Sequence, residues 1–162
     1  MQKTQIQKET GFTLIEILVV IGLIALLAAI VIIAINPARQ FAQGRNTQRV
    51  SNVNAILNAI GQRMADNKGI FADGTADNSQ FTIGSITYVC SVLPATSTPI
   101  TMVSPGTSTT GDLGCLVPTY ISSELKDPQG TANYTVVENA TTRRVTVSAP
   151  GAELGQTISI TR

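Results

Sequence analysis

Histidine is missing from this 162-residue chain, only 21 residues are charged, 7 are aromatic and 2 are cysteine. Without an imidazole, Ser-His-Asp and Cys-His nucleophile systems are excluded, and so are the usual histidine metal sites. Two cysteines with no histidine are too few for a structural zinc site. The shortage of aromatics leaves the basic stretch around Arg39, Arg45 and Arg49 with a single interleaved ring, Phe41, for base stacking, so nucleic acid is at most a weak partner there. No Ser-Lys or carboxylate pair is clustered, so the chain is read as a non-enzyme with no catalytic residue.

Acids are also missing over one stretch. From Ala38 to Ala65 the charges are Arg39, Arg45, Arg49 and Arg63 alone, whereas from Asp66 onward five basic residues face eight acidic ones. A basic stem thus leads into an acidic region, although the chain as a whole carries a net charge of only +1. Exposed charges are screened within about 8 Å at physiological salt, so these are read first as solvated faces. Cys90 and Cys115 lie 25 positions apart in the polar part. In an exported domain an even count favours a disulfide closing that loop, which stabilises by roughly 3 kcal/mol; two unlinked buried thiols are the alternative.

What the chain has in excess is concentrated in one place. Of its 70 apolar residues, 21 fall between Phe12 and Ile35, a run interrupted only by Thr13, Glu16 and Gly22. As a helix this run is about 36 Å long, enough to span a hydrocarbon core of about 30 Å. Lys3 and Lys8 against Glu9 make a short basic flank before it, which keeps the N-terminus on the cytoplasmic side of the membrane. A cleavable secretory signal has a shorter apolar region ending at a small-x-small site, and no Ala-x-Ala occurs from Phe12 to Gln43. Glu16 is the anomaly in the run: an ionised acid near mid-bilayer costs roughly 2.5–3.5 kcal/mol, less near the interface. Such a residue usually has a partner.

The string Gly11-Phe12-Thr13-Leu14-Ile15-Glu16, after a short basic leader and before a long apolar run, resembles the processing site of the type IV pilins and pseudopilins. The resemblance implies cleavage after Gly11 by a membrane prepilin peptidase that also N-methylates Phe12. Glu16 would then be the fifth residue of the mature chain, where the family carries its glutamate. The physics agrees: cutting after Gly11 creates a positive amine at Phe12, and Glu16 can neutralise that amine, on its own or a neighbouring chain, when apolar helices bundle. A misregistered neighbour leaves buried charges unpaired, so the pair acts as a register device. The resemblance further implies a helical homopolymer, an assembly ATPase and an inner-membrane platform as partners, residence in the cytoplasmic membrane before assembly, and an extracellular pilus afterwards.

Asn36-Pro37 predicts a kink or loosening, because proline lacks the backbone donor and clashes with the preceding turn. Beyond it Val50, Val53, Leu57, Ile60 and Met64 are spaced 3, 4, 3 and 4, one apolar stripe that packs on a sheet, while Asn52, Asn54 and Asn58 fall elsewhere. If continuous, the helix from Phe12 to Met64 would be about 80 Å long. Asp66-Asn67-Lys68-Gly69 is its stop signal. The acids Asp73 and Asp77 in the loop Ile70 to Gln80 are oxygen donors of the calcium type, but not at the spacing of an EF-hand.

Phe81 to Leu93 reads as a bent strand or hairpin, Pro94 to Gly111 (9 Ser or Thr among 18 residues) as an exposed loop, and Leu116 to Ser122 as a short edge segment. Tyr134 to Glu138, Arg143 to Ser148 and Thr157 to Thr161 read as three antiparallel strands. Leu125-Lys126-Asp127-Pro128-x-Gly130 with Asn133-Tyr134 looks like the turn that leads into the sheet of major pseudopilins and of Gram-positive or minimal pilins, though no proline precedes Lys126 and the Asn-Tyr pair sits late. In those relatives the turn sometimes lies beside a calcium site, for which only Asp127 and Glu124 would carry over; a plain Asp-Pro-x-Gly turn is the simpler reading. The expected fold is α+β: a leader over 1–11, an apolar helix over 12–36, an amphipathic stem helix over 37–65, and a sheet head over 66–162 with the Ser/Thr-rich loop 94–111. Two functions other than a pilus subunit fit this plan, a type II secretion pseudopilin and a membrane-anchored binding module that never polymerises.

Overall fold

The structure is a computed structural model that describes residues 11–72, 80–83, 86–102, 111–130 and 132–162, with the backbone alone for 80–83 and 86–89. The basic leader, the acids Asp73 and Asp77, and residues 103–110 of the Ser/Thr-rich loop lie outside the described residues. The chain divides into two units, Met1–Gln40 and Phe41–Arg162.

The first unit is built on helix α1 (Leu14–Ile35). Its N-terminus is closed by a capping box: the backbone N–H and the hydroxyl of Thr13 both donate to Glu16 Oε2, at 2.8 and 2.7 Å, and Glu16 N–H donates to Thr13 Oγ1. Two otherwise orphaned backbone donors are thereby satisfied. At the other end Asn36 adopts a left-handed backbone (φ 48°), which asparagine tolerates better than most residues. The same residue starts helix α2 (Pro37–Asp66), its side-chain oxygen accepting from Arg39 N–H at 3.3 Å. Pro37 occupies the first helical position, where its missing donor costs nothing. The helical stretch is therefore two helices and not one continuous rod.

In the second unit α2 runs to Asp66 and ends where the sequence places its stop, with Lys68 and Gly69 left-handed and Gly69 N–H bonded to Met64 O at 2.7 Å. Strands β1 (Gln80–Ile83) and β2 (Ile86–Val89) form an antiparallel pair. A second antiparallel sheet follows the order β3 (Thr98–Pro99), β4 (Thr135–Glu138), β5 (Val145–Ala149) and β6 (Ile158–Thr161). Burial alternates along β5: Val145, Val147 and Ala149 point inward, Thr146 and Ser148 outward, the period expected of a sheet with one wet face. Val136 and Val147 are register partners, and both join Val53, Ile56, Leu57 and Ile60 of α2 in a single buried cluster. Each such side chain, fully buried, stabilises by roughly 1.5–3 kcal/mol. This is the α+β arrangement expected, with all three expected strands of the sheet in place.

Three expectations need correction. The segment 94–111 is not all exposed loop: β3 lies within it, pairing with β4, and Ile100 and Met102 just after that strand are buried in the core. Leu116 to Ser122 is not a strand. A short 3-10 helix (Gly114–Leu116) and turns occupy the region, seeded by Asp112, whose carboxylate accepts Gly114 N–H at 2.8 Å; Pro118 has no N–H to give to a ladder. On α2, Val50 is 41% exposed, whereas Asn52 is buried. The buried face follows Ala42, Asn46, Arg49, Val53, Ile56, Ile60 and Arg63, spaced 4, 3, 4, 3, 4 and 3, so the true seam contains polar residues that a count of apolar ones passes over.

Candidate functional site

The residues singled out at the N-terminal end lie together on the surface of the first unit. Gly11 and Phe12 precede α1 in non-helical backbone, and Phe12 is 85% exposed. The bond between Gly11 and Phe12 thus lies outside the helical hydrogen bonding of α1. Phe12, Ile15, Glu16, Val19 and Val20 line one shallow surface groove. Glu16 is the only charged residue of α1, and its carboxylate is engaged by Thr13, one residue beyond the position where cleavage after Gly11 would create an amine. No residue of α1 is buried among the described residues. The helix is long and apolar enough to cross a membrane.

A second constellation, within the second unit, was missed by the sequence reading. Arg49 is fully buried, and its planar fork uses all five N–H donors. Nε and Nη2 donate to the two carboxylate oxygens of Asp127 at 2.6 and 3.0 Å. Nη1 donates to Asn46 Oδ1 and Glu153 Oε2, and Nη2 also to Gln129 Oε1, at 2.9–3.0 Å. Arg45 grips the same Glu153 through two bonds of 2.6–2.7 Å. Two guanidinium groups thus neutralise two carboxylates, and bidentate pairs of this kind are among the strongest polar contacts. The Arg49 guanidinium holds the Asp127 carboxyl below the usual carboxylate range against the opposing effect of burial. Arg45 first, then Arg49, hold Glu153 down at about 2. Hydrogen bonding to Asp127 raises Arg49 further above its already high range.

This cluster decides two sequence expectations. Arg45 and Arg49 are not solvated faces, and they are not free to meet phosphates. The turn at Asp127-Pro128 does form, with Gly130 N–H bonded to Asp127 O at 2.9 Å and Gly130 left-handed, but it is more than a turn because its carboxylate anchors α2. It does not fit calcium: both oxygens of Asp127 face Arg49, Glu124 pairs with Lys126 at 3.1 Å, and no group of three acidic, cysteine or histidine residues gathers among the described residues. Gly151 packs closely beside it: a Cβ there would lie 3.0 Å from Asp127 Oδ2, so a larger residue would have to displace that carboxylate by a few tenths of an ångström. The signal available in the sequence was the placement of Asn46 and Arg49 in phase with Val53, Ile56 and Ile60.

Cys90 and Cys115 are joined by a disulfide, with Cα atoms 5.2 Å apart and both residues in the core. It closes the base of the segment that holds β3, and the bridge between Cys90 and Leu113 reinforces the closure.

No curated protein and no solved structure matches the chain. A family model does match at residues 6–35, that of the prokaryotic N-terminal methylation motif. The exposed Gly11-Phe12 bond, the capped Glu16 and the unburied apolar helix all fall within or beside that match. The N-terminal segment of this chain therefore carries the prokaryotic N-terminal methylation motif.

Proposed function

We propose that the chain is a structural subunit of a type IV pilus. It is cut after Gly11, N-methylated at Phe12, held in the cytoplasmic membrane by α1 with its N-terminus inside, and then packed through α1 into a helical filament with heads outward. The observation that carries this reading is the combination of the methylation motif with an apolar helix none of whose residues is buried among the described residues. Lipid covers that surface before assembly and neighbouring copies cover it afterwards, so one segment serves as anchor and as filament core. Glu16 sets register by meeting the new amine of Phe12. The reading assigns no catalytic group, and adhesion, motility or DNA uptake would come from the assembled fibre and its motor.

Mass spectrometry of the mature N-terminus tests the proposal: a chain beginning with N-methylated Phe12 supports it, and an intact Met1 sinks it. A type II secretion pseudopilin, forming a short periplasmic filament, is the second reading, favoured by the likeness of the Asp127-Pro128 turn to that of major pseudopilins. Long extracellular fibres containing this chain would decide for the pilus. A membrane-anchored module that never polymerises predicts retention of the leader and indifference to Glu16.

A further inference from the structure

Leu154 breaks a local rule at the surface of the second unit. It and Gly155 have positive φ, 59° and 67°, and Gln156 N–H closes the turn onto Glu153 O at 3.2 Å. Turns with two positive central φ values favour Asn, Asp or Gly at the first of them, because a bulky side chain there crowds its own backbone. A leucine in this position is therefore costly, and it also leaves 49% of itself in contact with solvent. Neither the backbone nor the core of this chain benefits from it. Local violations with no compensating gain inside the chain point to a use outside it.

The turn is rigid and electrically quiet. Glu153 N–H donates to Asn46 Oδ1, and Asn46 Nδ2 donates to Glu153 O and Gln156 Oε1, at 2.8–3.0 Å. The Glu153 carboxylate beside Leu154 is neutralised by Arg45 and Arg49, so an apolar surface can approach without stranding a charge. The turn is pinned to Arg45, Asn46 and Arg49 of α2, which lie 10 to 14 positions along the chain after α1 ends at Ile35. We infer that Leu154 is an assembly contact, inserted against the exposed apolar surface of α1 on a second copy of this chain. That surface, with its large side chains 50–85% exposed, is the apolar partner the chain itself supplies in quantity. The inference rests on the polymer reading above.

Leu154→Asn tests it in the full chain expressed with its assembly machinery. Asparagine suits the left-handed backbone, so the thermal midpoint in detergent should equal or exceed that of the wild type. Cleavage and membrane insertion should be unchanged, while recovered filament falls at least fivefold. A photo-cross-linking residue at 154 should join peptides from residues 12–35 of a second copy. Wild-type filament yield from Leu154→Asn, or cross-links only to phospholipid or to another head, overturns the inference and leaves the polymer reading standing. A cleaved wild-type chain that never forms filaments takes down both.

Discussion

Helices α1 and α2 follow one another with a single residue between them, yet they keep opposite company. The first has one charged residue in 22 and buries none of its side chains. The second buries ten of its 30 residues, four of them polar. Hydrophobicity does not predict burial here; the available partner does. The face of α2 meets a sheet and a set of carboxylates supplied by its own chain, whereas α1 has no buried residue among the described ones. One charge chosen from each helix, Glu16 and Arg49, makes the contrast testable.

The largest effect is expected from Glu16→Ala, and only in assembly. An unpaired buried amine costs several kcal/mol, so filament yield should fall by about tenfold or more, with membrane insertion and the unfolding transition of the head unchanged. Wild-type filaments from this mutant would remove Glu16 from the register role. Arg49→Ala should do the reverse for stability. It leaves Asp127, whose side chain is 2% accessible, without its counter-charge, and about 3–5 kcal/mol should be lost in urea unfolding. Arg49→Lys restores the charge but not the five-donor fork, so it should recover only part of this. An Arg49→Ala chain that unfolds at the wild-type urea midpoint would show that the cluster is ornamental.

Acid should sharpen the same contrast. Asp127 and Glu153 have carboxyl groups held below their usual range, Glu153 at about 2 against an ordinary 4.5. Groups depressed in this way contribute stability that is complete above the unfolded pKa and lost as pH falls through the folded one. The thermal midpoint of the head should therefore be flat above about pH 4.5 and fall towards pH 2, with a shallower fall in Glu153→Gln. An equally steep fall in that variant would place the acid sensitivity elsewhere.

Much of this was legible from residues alone, and the exceptions share a cause. The capped entry at Thr13 and Glu16, the break at Asn36-Pro37, the stop after Asp66 and the strands β4, β5 and β6 are all specified by neighbours in sequence, through capping, proline and alternation. Strand β3 was not legible, because two residues in a Ser/Thr-rich stretch become a strand only when Val136 and Thr135 lie beside them. The Arg49 cluster was not legible either. Its carboxylates stand 78 and 104 positions away, and a stripe counted in apolar residues alone sets the face of α2 rotated towards Val50 and passes over the polar Asn46 and Arg49. At the N-terminal motif the order is reversed: Gly11, Phe12 and Glu16 are singled out by the string itself, within the stretch that the methylation-motif model matches, and owe nothing to the assembly of the fold.

The smallest expected effect is also the cleanest check on that rotation. Val50 and Val53 belong to one apolar stripe by spacing, and if that stripe were the seam of α2 their truncation would cost alike. Val53 is fully buried against the sheet-facing core, while Val50 is 41% exposed. Val53→Ala removes packed methyl groups and leaves a cavity, for about 2 kcal/mol. Val50→Ala removes atoms that are largely wet already, and alanine's better helix propensity offsets what is lost, so the change should stay within about 0.5 kcal/mol of zero. Equal losses in urea unfolding would move the seam back onto the apolar stripe.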